Sequence, residues 1–169
     1  MSRFRAVLFD LGGVVFDSPF EALATYEAER GLDSGALNRI IVGAGHDGAW
    51  GRNERGETTP TEFLAAFQTE LELAGLAADA TEIMRRIRTG LRIRPSMVRA
   101  IDRIRREGLL TAAVTNNWRE ADGSTTGDRL ADHFDAFIES AVVGINKPDP
   151  RIYEIALAAL DVGAREAVF

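Results

Sequence analysis

The chain has no cysteine, and its two histidines, His46 and His133, lie far apart in sequence. The first absence excludes disulfides and thiolate chemistry, and the second argues against a histidine-rich metal site. No apolar run approaches the ~20 residues that a membrane helix needs. No block of like charge is long enough to form a tail, and no repeat or low-complexity segment is present. The formal net charge of -6 disfavours nucleic acid or an anionic membrane as partner. The start, Met1-Ser2-Arg3-Phe4-Arg5, leads only into a short apolar stretch and carries no secretory signal pattern, so the expected location is cytoplasmic. What is present is 169 residues, 46% hydrophobic and 27% charged, which is enough for one globular domain with a real core and room for an inserted subdomain.

The informative stretch is Phe9-Asp10-Leu11-Gly12-Gly13-Val14-Val15-Phe16-Asp17-Ser18-Pro19. Residues 4–9 are apolar except for Arg5 and read as a buried parallel strand that runs out at Asp10. Ligands of open α/β sheets bind beyond the carboxyl ends of the strands. The Gly12-Gly13 pair permits a sharp turn and a close backbone approach to a ligand. Taken alone, Asp10 would read as a residue that ends a strand and caps a turn.

After it the chain reads as almost wholly helical. Ser18 caps a helix from Pro19 to Arg30, closed by Gly31. A second helix is expected over residues 34–42. Residues 43–57 are rich in glycine and charge and read as a loop, with Trp50 tucked into local packing. Thr59-Pro60-Thr61-Glu62 predicts a capping box and a helix up to Gly75, and Asp79 starts another that ends at Gly90. The arginines at 85, 86, 88, 92 and 94 read as a solvated face or hinge. Then alternation begins: a helix over 95–107, a strand over 109–114, a polar loop over 119–128 and a short helix over 129–134. A strand over 137–140, a helix over 150–160 and a last strand from Glu166 follow. The pattern predicts an α/β fold, a doubly wound parallel sheet with an inserted helical cap. The expected core is 1–17 with 95–169, and the expected cap is 18–94.

Three strand ends then carry polar groups: Asp10, Thr115 with Asn116, and Lys147 in the turn after the third strand. An acid, a hydroxyl and an ammonium at one sheet edge suit phosphoryl transfer, which depends on positioning and charge stabilisation. An aspartate can serve as the covalent nucleophile.

The order of Phe9-Asp10-Leu11-Gly12-Gly13-Val14, Val114-Thr115-Asn116 and Lys147-Pro148 resembles the three leading motifs of the haloacid dehalogenase-like hydrolase superfamily, whose core is Rossmann-like. Thr115-Asn116-Asn117-Trp118, Phe137-Ile138-Glu139-Ser140, Gly144-Ile145-Asn146-Lys147-Pro148 and Arg55-Gly56-Glu57 resemble, more narrowly, the phosphatase-like N-terminal domain of soluble epoxide hydrolase. A similar domain occurs in some acyl-CoA dehydrogenase family proteins. The resemblance implies that Asp10 is the nucleophile and a Mg²⁺ ligand, and that Gly12 adds a carbonyl to the metal. It implies that Thr115 bonds the transferring phosphoryl group and that Lys147 neutralises Asp10 and the phosphate. Gly13 and Asn116 would line the substrate site, and the substrate would be a small phosphorylated molecule.

The chain departs from that pattern in two places. Phosphatases of the family carry a second Asp two residues after the nucleophile as acid/base, and here that position is Gly12. General acid help is worth roughly 10²–10⁴-fold, so a slow phosphatase or a substrate with a good leaving group is implied. Asp17 reads as a helix cap rather than as a replacement acid. The acidic pair that completes the family's Mg²⁺ site would follow the strand at Ala167-Val168-Phe169, and the native protein is therefore expected to continue past Phe169. Two alternatives stay open at this point: a metal-independent haloacid dehalogenase, and a catalytically impaired binding domain of the same fold.

Overall fold

The computed structural model of the chain describes residues 4–125 and 127–169, and of Asp128 the backbone alone. The first three residues of the expected core segment 1–17, and Thr126 of the expected loop 119–128, lie outside the described residues. Four parallel strands, β1 (Ala6–Phe9), β2 (Leu110–Thr115), β3 (Ala136–Glu139) and β4 (Ala167–Val168), stand in the order β3-β2-β1-β4. The order reverses at β1, so the residue that follows β1 lies beside the switch point where α/β sheets open a ligand crevice. Ala6, Leu8, Ala112 and Val114 pack with Ile152 and Ala156 on one face. Leu11, Ala113, Ile101, Leu130 and Phe134 close the other. A sheet covered on both faces explains why β1 and β2 read as continuous apolar runs rather than as alternating ones.

Between β1 and β2 stand α1 (Pro19–Arg30), α2 (Ala36–Ala44), α3 (Ala49–Glu54), α4 (Pro60–Leu73), α5 (Ala80–Gly90) and α6 (Pro95–Arg106). The first five share a separate core, with Tyr26, Leu37, Phe63, Phe67, Leu71, Ile83 and Ile87 buried together. The chain leaves the sheet layer and returns to it through two paired linkers. Phe16 bridges Ile93, Asp17 N–H donates to the Arg92 carbonyl (3.0 Å), and Arg94 N–H donates to the Val15 carbonyl (2.8 Å). Beyond β2 come α7 (Gly127–Leu130), a 3-10 turn, α8 (Ser140–Val143) and α9 (Pro150–Ala159). No helix among the described residues is long and apolar enough to cross a membrane.

Several expected boundaries move by one or two residues, and two elements differ in kind. The expected loop 43–57 contains α3, and the expected third strand gives up Ser140 to α8. The Thr59 capping box forms as expected: the hydroxyl takes the Glu62 N–H at 3.3 Å, and the Glu62 carboxylate takes the Thr59 N–H at 2.8 Å. Arg55-Gly56-Glu57 is a structural knot. Glu57 holds the Arg55 guanidinium on two nitrogens, at 2.6 and 3.0 Å, and the third donates to the His46 carbonyl at 2.8 Å.

Gly56 has φ +68°, and a Cβ there would meet the Ala141 carbonyl oxygen at 2.6 Å, where the end of α3 packs on α8. Gly56→Ala is expected to destabilise the protein by about 2 kcal/mol or more, from left-handed strain plus overpacking. Gly75, at φ +71° with nothing within 4 Å of a built Cβ, is the control and should show strain alone. Urea unfolding of both variants reads the difference. Equal losses would mean that the α3–α8 contact is slack.

Candidate active site

Parallel register sets Phe9 beside Ala113 and Thr115 beside Glu139, so Asp10, Thr115 and the loop after β3 leave the sheet at one edge. Lys147 crosses from that loop and places Nζ 2.7 Å from Asp10 Oδ1, the oxygen that also accepts the Leu11 N–H at 2.7 Å. The lysine side chain is only 14% exposed, so the pair is partly desolvated, where attraction is stronger than in water. Its ammonium also lies 5.6 Å from the centre of the Phe169 ring.

Asn116 fastens the end of β2 to the Lys147 turn. Its Oδ1 accepts the Lys147 N–H at 2.7 Å, and its Nδ2 donates to the Lys147 carbonyl at 3.2 Å. Thr115, at the same strand end, is buried and donates its hydroxyl to the Asn116 carbonyl at 3.2 Å. The neighbouring Asn117 is buried as well, with its N–H on Ser140 Oγ and its amide on Glu139. Gly13 is left-handed (φ +77°), and its carbonyl accepts from Arg94 at 2.9 Å. Gly13 lines neither of the cavities described next.

Two cavities flank Trp118 between the sheet edge and the inserted helices. One, of about 330 Å³, is lined by Gly12, Thr115, Asn116, Trp118, Glu120 and Arg129, among others. The other, of about 420 Å³, is lined chiefly by side chains of the helical unit (Phe20, Leu23, Ile41, Trp50), with Asn116 and Lys147 at its floor. A larger hollow beside Arg99, Asp102 and Arg105 lies at the opposite end of β2, away from Asp10.

The sequence reading missed Glu54, the last residue of α3. Its Oε2 accepts from Asn116 Nδ2 (2.9 Å) and from Asn146 Nδ2 (3.0 Å), and its Oε1 accepts from Trp50 Nε1 (3.1 Å). Burial pushes this carboxyl above its usual range. Hydrogen bonds from Asn146 and Trp50, the Lys147 charge and the bond from Asn116 oppose that shift without cancelling it. The one local signal for it was Trp50-x-x-x-Glu54, an i,i+4 pair that counts only once the segment is helical. Asp17, expected as a helix cap, is instead held by Arg94 Nε at 3.1 Å, and Ser18 is the N-cap of α1. Arg88 pairs with Glu120 at 3.1 Å and Arg86 with Glu29 at 2.6 Å, so both contribute to fold contacts.

Among the described residues no three Asp, Glu or His side chains come together as a metal cage. At the edge Asp10 offers a carboxylate, and Gly12, two residues on, offers a backbone carbonyl beside the 330 Å³ cavity. Mg²⁺ suits this hard, all-oxygen set, because it is commonly held by one or two carboxylates, with waters and substrate phosphate oxygens completing the shell.

A family model described as haloacid dehalogenase-like hydrolase matches residues 4–169. The chain is 32% identical to mouse acyl-CoA dehydrogenase family member 10 over 98% of its own length and 16% of that protein. It is 31% identical to pig bifunctional epoxide hydrolase 2 over 98% of its length and 32% of that protein, so it spans a third or less of these two relatives. It is 32% identical to a phosphoserine phosphatase of Thermus thermophilus, covering 96% of this chain and 71% of that one. Among solved structures, a dehalogenase matches at TM-score 0.63 and 21% identity, covering 99% of this chain and 76% of that one. A haloacid dehalogenase-like enzyme of Bacteroides thetaiotaomicron, crystallised with magnesium and inorganic phosphate, matches at TM-score 0.61 and 17% identity, with coverages of 97% and 82%. At these identities the two structures speak for the fold alone.

Proposed function

The chain belongs to the haloacid dehalogenase-like hydrolase family, and from that premise we propose that it is a phosphatase of a small phosphorylated molecule, working through an aspartyl-phosphate on Asp10. The observation that carries this reading is the Asp10–Lys147 pair at 2.7 Å, set at the same edge as Thr115. In the proposed reaction Lys147 balances the charge of Asp10 and of the incoming phosphate. Thr115 turns its hydroxyl from the Asn116 carbonyl to a phosphoryl oxygen. Asn116 holds the Lys147 backbone so that the ammonium stays in place. Mg²⁺ would be held by Asp10 and the Gly12 carbonyl, and when bound it would neutralise charge on the phosphoryl oxygens. Residues 18–94 act as the cap that encloses the substrate's organic part, and residues 1–17 and 95–169 act as the catalytic core. The phosphatase named among the relatives supports this reading over other hydrolyses.

One competitor is a dehalogenase, which needs no acid at position 12 and no metal, although that branch typically carries an aromatic residue where this chain has Gly12. A direct assay separates the two. Hydrolysis of p-nitrophenyl phosphate in Mg²⁺ is expected, with a fall of about 100-fold or more when EDTA removes the metal. Halide release from a 2-haloacid without metal, together with no phosphate release from any ester, would overturn the phosphatase reading.

A further inference from the structure

Loss of the acid at position 12 leaves a phosphatase without a proton for its leaving group, and the cleft supplies a different carboxyl. With phosphate seated at Asp10, Thr115 and Lys147, the organic part of a substrate must project toward the helical unit. The cavity there, about 420 Å³, has Lys147 and Asn116 at its floor and Glu54 in its wall. The described carboxylates that line the two cavities are Glu54 and Glu120. Glu120 is tied to Arg88 at 3.1 Å and to Trp118 Nε1 at 2.9 Å, so both of its oxygens are already engaged. Asp17 is held by Arg94 and lines neither cavity. Among the described residues Glu54 has no arginine partner. Its neighbours are two amides and an indole, and Lys147 and His46 line the same cavity.

We infer that Glu54, reaching down from the cap, is the proton donor to the leaving oxygen, in place of the acid absent at Gly12. The inference rests on the phosphatase reading. An Asp10 oxygen forms a bond to phosphorus as the bond from phosphorus to the leaving oxygen breaks. That oxygen keeps the electron pair and takes the Glu54 proton. In the second half a water attacks the aspartyl-phosphate, gives its proton to the Glu54 carboxylate and releases inorganic phosphate, and Asp10 is restored. Burial of Glu54 favours the protonated form that the first half requires.

The test is Glu54→Gln assayed by kcat/KM on two esters. p-Nitrophenyl phosphate has a phenolate that leaves without a proton, whereas an alkyl phosphate has an alkoxide that needs one. The expected loss is about 10²–10⁴-fold on the alkyl ester and under about 10-fold on the aryl ester. Glu54→Asp should retain more alkyl activity than Glu54→Gln. A Cβ built at Gly12 would meet Pro19 Cδ at 3.7 Å, an ordinary contact, so the backbone there admits a side chain. Gly12→Asp in the Glu54→Gln background should restore alkyl turnover by about 10-fold or more. Equal losses on both esters in a variant with an unchanged melting curve would make Glu54 a structural latch and overturn the inference. So would no loss on either ester. If the wild-type protein cleaves neither ester, the phosphatase reading itself falls. A carboxyl NMR titration of Glu54 then judges the residue alone, and a midpoint at or below that of ordinary glutamate rejects it as a donor.

Discussion

Asp10→Asn is expected to remove turnover, by about 10⁴-fold or more, while leaving the protein folded. The substituted side chain has the same shape and can still accept the Leu11 N–H that Asp10 Oδ1 takes at 2.7 Å. It cannot attack phosphorus, because a carboxamide oxygen carries no negative charge to share. It also deprives Lys147 of its partner. Asp10 is 39% exposed, so the lost attraction is screened, and a stability change of about 1 kcal/mol or less is expected. For a chain of this size that is a melting shift of about 2–4 °C. Steady-state rates and a thermal melt on the same preparation check both parts. Residual activity above about 1% of wild type would mean that Asp10 is not the nucleophile.

Phe67→Ala carries the largest expected effect on stability. Phe67 is fully buried and stacks on Phe63, with centroids 5.7 Å apart and planes 9° apart, and it meets the Trp50 ring edge-on at 5.6 Å. Removing a buried ring forfeits its transfer free energy and leaves a cavity that the neighbours fill only in part. The expected loss is about 3–5 kcal/mol, or a drop of roughly 10 °C in melting temperature. Leu73→Ala, at a position 84% exposed on the same helix, should change stability by about 0.5 kcal/mol or less. Trp50 and Glu54 share α3, so the damage should also reach the cleft. In the Phe67→Ala protein, KM for p-nitrophenyl phosphate should rise more than kcat falls, because α3 lines the cavity, Asp10 and Lys147 stand on the core, and that ester needs no proton from Glu54. A melting temperature within about 2 °C of wild type would show that the helical unit repacks around the gap.

The strands, most helices and the edge residues Asp10, Thr115, Asn116 and Lys147 were legible because their signals are local. An apolar run that stops at a polar residue marks the end of a buried strand, wherever the other strands lie. Thr59 and Glu62 make a capping box within one turn. The order of the elements then brings the strand ends to one edge, since parallel strands all finish on the same side.

What only the tertiary structure decided lies where a stabilising group comes from far along the chain. α3 starts at Gly48, which offers no capping side chain, and the Ala49 N–H is satisfied by Glu70 of α4 at 2.7 Å. α2 likewise lacks a local cap, and the buried Glu27 of α1 takes the Gly35 and Leu37 N–H groups at 2.7 and 2.8 Å. A glycine-rich segment with no cap of its own reads as loop, because isolated short helices are unstable without outside contacts. Glu54 was hidden by the same cause. Its position over Lys147 depends on α3 forming, on the Phe63–Phe67–Trp50 packing behind it, and on Asn116 and Asn146 arriving from two other loops. The sequence by itself determined which residues stand at the sheet edge. The packing of the helical unit on that edge decided which carboxyl faces them, because a buried acid takes its place and its proton affinity from neighbours that are distant in sequence.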